Sequence, residues 1–243
     1  MNFDFSDDQK LLRDQARKFL TDKCDRTVVR SVLEDNHKNH SDDLWKEISS
    51  MGWTGTAIPE EYGGLGLGML ELCVIAEELG RSLAPTPFSS SIYLFAEFVK
   101  LFGTEDQKKS YLPKIASGEM IGTFALSEGN GTPKSHNINS TFTDGKLNGQ
   151  KLPVNDGHVS DFIIVAANTD SNKNNNSLSL VIVKSNQDGV KSESLETIDP
   201  SRPSSKIVLD NADAELLGNS GEGWEMIQKI FDRAAALFAF EQV

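Results

Sequence analysis

The sequence predicts an α+β protein in three stretches: a helical N-terminal domain, an antiparallel β-barrel or sandwich, and the start of a truncated C-terminal helical bundle. Three observations predict it. Apolar residues recur at three- to four-residue spacing up to about residue 118. From Ile121, short runs rich in β-branched and aromatic residues take over, separated by Gly, Asn and Asp. At Gly223 the helical spacing returns. The boundaries follow as 1–119, 120–222 and 223–243, and a length of 243 residues suits one large domain or two small ones.

Each helix carries its own start signal. Residues 3–24 read as a helix capped by Ser6, with Asp7 and Asp8 in the first turn and Leu11, Leu12, Ala16, Phe19 and Leu20 on one face. Ser41 caps a second series, Leu44, Trp45, Ile48 and Met51, which Gly52 ends. PEEYGGLGLG (59–68) is a Gly-rich loop. It lacks the Lys-Ser/Thr ending of a P-loop and follows no strand, so it is a turn between helices. Met69–Leu79 is a helix with Gly80 as its C-cap. After Pro85 and Pro87, Ile92–Phe102 is helical, and Thr104 with Gln107 opens a helix to Ile115.

The strands are Ile121–Leu126, Ser140–Thr143, Phe162–Ala167, Leu178–Val183 and Lys206–Leu209. The polar stretch Thr169–Ser177 is a mobile hairpin loop. Trp224, Ile227, Ile230, Phe231, Ala234 and Ala235 begin the last helix. Leu237, Phe238 and Phe240 have no following element to pack on, so the chain reads as cut before a final domain.

Composition narrows the function. A formal net charge of −12 argues against nucleic acid and anionic membranes, and no apolar run is long enough to insert in a bilayer. Cys24 and Cys73 show neither metal nor disulfide spacing; with no signal-peptide core, the cytoplasm is the expected compartment and no metal is expected.

Four pieces, in order, carry a family likeness: FSDDQKLLRDQARKFL, WKEISSMGWTGTAIPEEYGGLGLG, the helix with AEELGRSLAP, and FGTEDQKKSYLPKIASGEMIGTFALSE. Together they resemble the acyl-CoA dehydrogenase family over essentially the whole chain. The resemblance implies FAD as cofactor and α,β-desaturation of an acyl-CoA thioester. It also implies an electron-transfer flavoprotein or similar acceptor, and a homo- or hetero-oligomer, dimer or tetramer. It places Phe124, Leu126, Ser127, Val154 and Asn155 at the flavin, with backbone amides of Phe124–Glu128 and the Ser127 hydroxyl bonding the pyrimidine edge, and makes 59–68 a structural loop near the substrate cavity. The family's base lies in the C-terminal domain, most of which is missing. In a minority it lies near the start of that domain's first helix, where Asp232 and Glu241 are the nearby carboxylates. The catalytic and substrate-binding residues therefore stay unassigned.

The chain departs from the family pattern where the flavin would lie. Pro153, Val154 and Asn155 stand where the family presents an aromatic-aliphatic-hydroxyl triplet, and Gly131, Thr132, Pro133 and Lys134 replace a Gly-Ser-Asp. These changes resemble a divergent bacterial branch that pairs catalytic with degenerate subunits, often for bulky esters such as steroid side chains. A non-catalytic partner subunit is thus the alternative to an enzyme. By their residues alone, Asn155-Asp156-Gly157 is a β-turn, His136 and His158 are solvated, and Trp45, Trp53 and Trp224 are core or domain-contact residues. Arg202 with Lys206 offers a phosphate-site reading against the commoner solvated one.

Overall fold

The computed structural model describes residues 4–35, 40–129, 131–170, 177–197 and 202–243. The loop expected over Thr169–Ser177 falls largely outside them. Helices α1 (Asp7–Lys23), α2 (Arg26–Leu33), α3 (Asp42–Ser50) and α4 (Met69–Arg81) lead into a π-helical segment, Ser89–Ala96. Then come α5 (Glu97–Phe102) and α6 (Glu105–Ala116). The expected caps are in place. Ser6 and Gln9 exchange side-chain-to-backbone bonds of 3.2 and 3.0 Å, Thr104 and Gln107 do the same, and Ser41 accepts from the Leu44 amide. Gly80 is not a C-cap: α4 runs through it to Arg81 and is capped by Ser82. A side chain at Gly80 would meet the Glu241 carbonyl, so close packing, not helix termination, explains this glycine.

Seven strands follow: β1 (Gly122–Ala125), β2 (Thr141–Thr143), β3 (Lys146–Asn155), β4 (Phe162–Asn168), β5 (Leu178–Lys184), β6 (Val190–Leu195) and β7 (Ser204–Leu217). The pairings β4–β2–β3–β7–β5–β4 close into a ring, a barrel-like sheet that is mostly antiparallel. β1 lies parallel to β4, and an isolated parallel bridge joins Glu128 to Leu152 of β3. β3 and β6 are additions to the strands expected from residue patterns, and β7 is far longer than Lys206–Leu209.

β4 reads as an unbroken apolar run because both its faces are buried. Ile163, Val165 and Ala167 fill the barrel; Ile164 and Ala166 join the core shared with the helices. That larger core also takes in the last helix, α7 (Gly223–Glu241), through Met226, Ile227, Ile230, Ala234 and Leu237. The end of α7 is therefore packed, contrary to expectation. Leu237 is fully buried, the Phe238 ring meets Tyr93 edge-on at 5.5 Å, and Phe240 meets Phe5 at 6.3 Å. Fully burying a side chain such as Leu237 contributes about 1.5–3 kcal/mol, and the half-buried Phe238 and Phe240 contribute less. Among the described residues no helix is long and apolar enough to cross a membrane.

Candidate functional site

Where the ends of β1 and β3 face α7, a cleft of about 830 Å³ opens. The chain's alternation decides which residues reach it. Along β3, Pro153 and Asn155 project outward into the cleft, whereas Val154 projects inward and is fully buried in the barrel. Phe124, Leu126 and Ser127 supply the β1 side. Thus four of the five expected cofactor residues share one wall, and the Val154 side chain is turned away from it. Thr132 and Pro133, in the segment that departs from the family pattern, also border the cleft.

That wall is apolar with a few fixed polar groups. The Phe124 ring packs on Phe98 at 4.7 Å and edge-on against Phe231 of α7 at 5.9 Å. The Asn155 carbonyl accepts from Thr123 Oγ1 at 2.6 Å and its Oδ1 accepts from Ser204 Oγ at 2.9 Å. Its amide NH2 has no acceptor among the described residues. The Ser127 hydroxyl makes one long bond, 3.4 Å, to the Gly129 carbonyl. Opposite, α7 presents Trp224, Phe231 and Phe238, so the aromatic surface absent at Pro153 is supplied from the other wall. Trp224 is half-buried, packing against the main core while bordering the cleft, and Trp45 and Trp53 are core residues as expected.

Polar residues below the cleft escaped the sequence reading. Ser90, from the π-helical segment, reaches the cleft and donates to Asp156 Oδ2 at 2.5 Å. Asp156 is 4% exposed, and burial pushes its carboxyl up to about 6, against the Ser90 hydrogen bond and the nearby Arg202 charge. Behind β1 lies a buried pair. Lys151 is fully buried and donates to Glu128 Oε1 at 2.8 Å and to the Leu126 carbonyl at 3.1 Å. Burial works against ionising Glu128, but the Lys151 charge and bonds from Lys151 and Ser140 outweigh it and hold the carboxyl down at about 2. No local pattern marks a lysine or aspartate as buried, so these residues had no signal beyond the polar breaks they make in their strands.

Asp232 of α7 lines the cleft, whereas Glu241 does not. Glu241 pairs with Arg202, which also donates to Ser89 at 2.6 Å, beside a neighbouring cavity of about 340 Å³. Lys206 pairs with Glu193 instead, so Arg202 and Lys206 form no joint phosphate site. His136 and His158 are exposed and outside the cleft. Residues 59–68 do not line it either: Tyr62 bonds Glu105 of α6 at 2.8 Å, and Gly64 packs onto the Ile58 backbone with no room for a side chain. Among the described residues no three His, Cys, Asp or Glu are grouped to hold a metal ion.

Comparison with known proteins bears on this geometry. A family profile described as the N-terminal domain of acyl-CoA dehydrogenase matches residues 6–119. Acryloyl-CoA reductase (NADH) of Anaerotignum propionicum is 30% identical, over 96% of this chain and 62% of its own length. Glutaryl-CoA dehydrogenase of Desulfococcus multivorans is 28% identical, over 93% of this chain and 61% of its own. A solved glutaryl-coenzyme A dehydrogenase with glutaryl-CoA superposes with a TM-score of 0.89 at 26% identity, covering 99% of this chain and 64% of that one. The chain thus spans about three-fifths of the length of these curated relatives.

Proposed function

We propose, for a chain that belongs to the acyl-CoA dehydrogenase family, that its cleft is the β-domain half of a site for FAD and an acyl-CoA thioester, serving α,β-desaturation. The observation that carries this reading is the convergence of Ser127 and Asn155 on one wall opposite the aromatic face of α7. These residues fit a planar heteroaromatic ring. The Asn155 amide is free to donate at its edge, the Ser127 hydroxyl can exchange its long bond to Gly129 for one there, and Phe124, Trp224 and Phe231 supply apolar surface for its faces. FAD, when bound, supplies the hydride acceptor.

The chain's own residues do the rest. With a ligand seated in the cleft, the apolar lining would exclude water and so strengthen the polar contacts inside it. Asp232 is the carboxylate that opens onto it, and we assign it as this chain's candidate proton acceptor for the substrate α-carbon. An electron-transfer flavoprotein or similar carrier would reoxidise the site, and a homo- or hetero-oligomer would complete it. One likeness is to a reductase and another to a dehydrogenase, so the direction of the reaction is itself part of the proposal.

A second reading, a non-catalytic partner subunit, is favoured by Pro153 at the cleft wall, where the family pattern has a stacking aromatic. Purification alone and with a family paralogue, followed by flavin absorption and acyl-CoA-dependent dye reduction, tests both readings. The enzyme reading expects flavin and turnover that fall on Ser127→Ala, Asn155→Ala and Asp232→Asn. Turnover in the mixture that is indifferent to all three changes would move the working site to the partner.

A further inference from the structure

We propose that Lys151 is a positioning residue for this site: its buried ammonium gathers the Leu126 carbonyl and the Glu128 carboxylate, and so presents the backbone N–H groups of Ser127 and Glu128 as paired donors for the acceptor-rich edge of a flavin. The inference rests on the cofactor reading above and adds a residue that does not itself line the cleft.

The argument begins with the peptide planes. The Leu126 carbonyl accepts from Lys151 Nζ at 3.1 Å, and the Ser127 carbonyl accepts from the Leu152 amide at 2.9 Å. In a planar trans peptide the N–H points opposite to the carbonyl of the same unit. The Ser127 N–H therefore points away from the Lys151 ammonium, and the Glu128 N–H away from β3. Neither N–H has an acceptor among the described residues, although both residues are only partly exposed. Partly buried donors of this kind ordinarily find a partner.

The second step concerns what keeps them there. Glu128 is bonded by Lys151 at 2.8 Å, by the Ser140 amide and hydroxyl at 2.9 and 2.7 Å, and by the Asn139 amide at 2.7 Å. Lys151 and Ser140 thereby hold the segment from both sides. A lysine–glutamate pair with the lysine wholly buried and the glutamate only 12% exposed is a poor stabiliser compared with apolar side chains of similar volume. Its use here is geometric: an ammonium with three donors fixes a carbonyl and a carboxylate at once. Burial pushes the Lys151 ammonium down to about 8, against the pull of Glu128, which is the charged group facing it among the described residues. The cradle should therefore loosen as the pH rises through that value.

The test uses the assembly in which the wild-type chain is purified with FAD. The flavin is stripped and the dissociation constant for FAD is measured by flavin fluorescence. Thermal melting of the apo-protein reports folding. Lys151→Met combined with Glu128→Gln removes both charges, so that no unpaired charge is left buried, and frees the Leu126 carbonyl. We expect this variant to melt cooperatively yet bind FAD about tenfold more weakly or worse, while Lys151→Arg, which stays charged, retains most of the affinity. Wild-type affinity should fall between about pH 7 and about pH 9.5, and that of Lys151→Arg should not. A folded double variant that binds FAD as wild type does overturns the inference. If that variant does not fold, a flat wild-type pH profile overturns it equally. A wild-type chain that retains no FAD in any assembly overturns the cofactor reading itself, and the inference with it.

Discussion

Asp156 shows how a single residue can carry a pH dependence that its sequence context hides. It leaves β3 with φ +55°, a conformation Asp and Asn tolerate better than most residues, and is buried against Ser90. Its ordinary carboxylate value of 3.8 is raised by burial to about 6 in the folded chain. Between those values the folded state binds the extra proton, so this group's stabilisation is full below pH 3.8 and is lost as the pH rises through about 6. The shift corresponds to about 2–3 kcal/mol. Asp156→Asn keeps the backbone preference and the shape but cannot ionise. Urea unfolding at about pH 4 and about pH 7 should show wild type losing that much relative to the variant as pH rises. A difference between the two proteins that is constant with pH would refute the assignment. At this scale the sequence was only partly legible. The resemblance led to Ser127 and Asn155, and period-two alternation alone separates Val154 from its neighbours. Nothing local distinguishes a buried Lys151 or Asp156 from a solvated one, because the partners Glu128 and Ser90 lie 23 and 66 residues away in sequence.

At the scale of elements, the junction of α4 with α7 turns on Gly80. An alanine inside a helix normally gains up to about 1 kcal/mol over glycine. Here a β-carbon would overlap the Glu241 carbonyl oxygen, so the end of α7 must move. The same movement would pull Glu241 from Arg202 and disturb the contacts of Phe238 and Phe240. Gly80→Ala should therefore destabilise the protein by about 1–3 kcal/mol; an increase in denaturation midpoint would show that α7 ends freely. Helices α1, α3 and α6 were legible because their caps are local, Ser6, Ser41 and Thr104 each acting within three residues; α2 was not read, although Asp25 caps it just as locally, because its stretch is short and charged. β6 was missed because VKSESL pairs with β7 alone and buries little, which leaves a polar edge-strand pattern. β3 escaped residue patterning because Gly149 and Pro153 interrupt it, and its register against β7 shifts at both places. Only the family likeness pointed to its end.

At the scale of the whole molecule, the three stretches read from sequence do not have three cores. Ile227, Ile230 and Leu237 of α7 belong to the same apolar cluster as Leu72 and Phe98 of the helical region and Ile164 and Ile182 of the sheet. β4 and β5 have one face in that cluster and the other in the barrel, so loss of either core exposes the same strands. We propose on this ground that 1–119, 120–222 and 223–243 unfold together. Truncating the fully buried Leu237 to Ala should cost about 2–5 kcal/mol, and the loss should register in regions that never touch it. In a Trp224→Phe background, fluorescence reports Trp45 and Trp53, both buried in the helical region, while far-UV circular dichroism follows the sheet as well. Coincident transitions shifted equally by Leu237→Ala are expected. Two separated transitions, with tryptophan fluorescence indifferent to Leu237, would show instead that α7 is an appendage and that the cleft it walls can open without unfolding the rest.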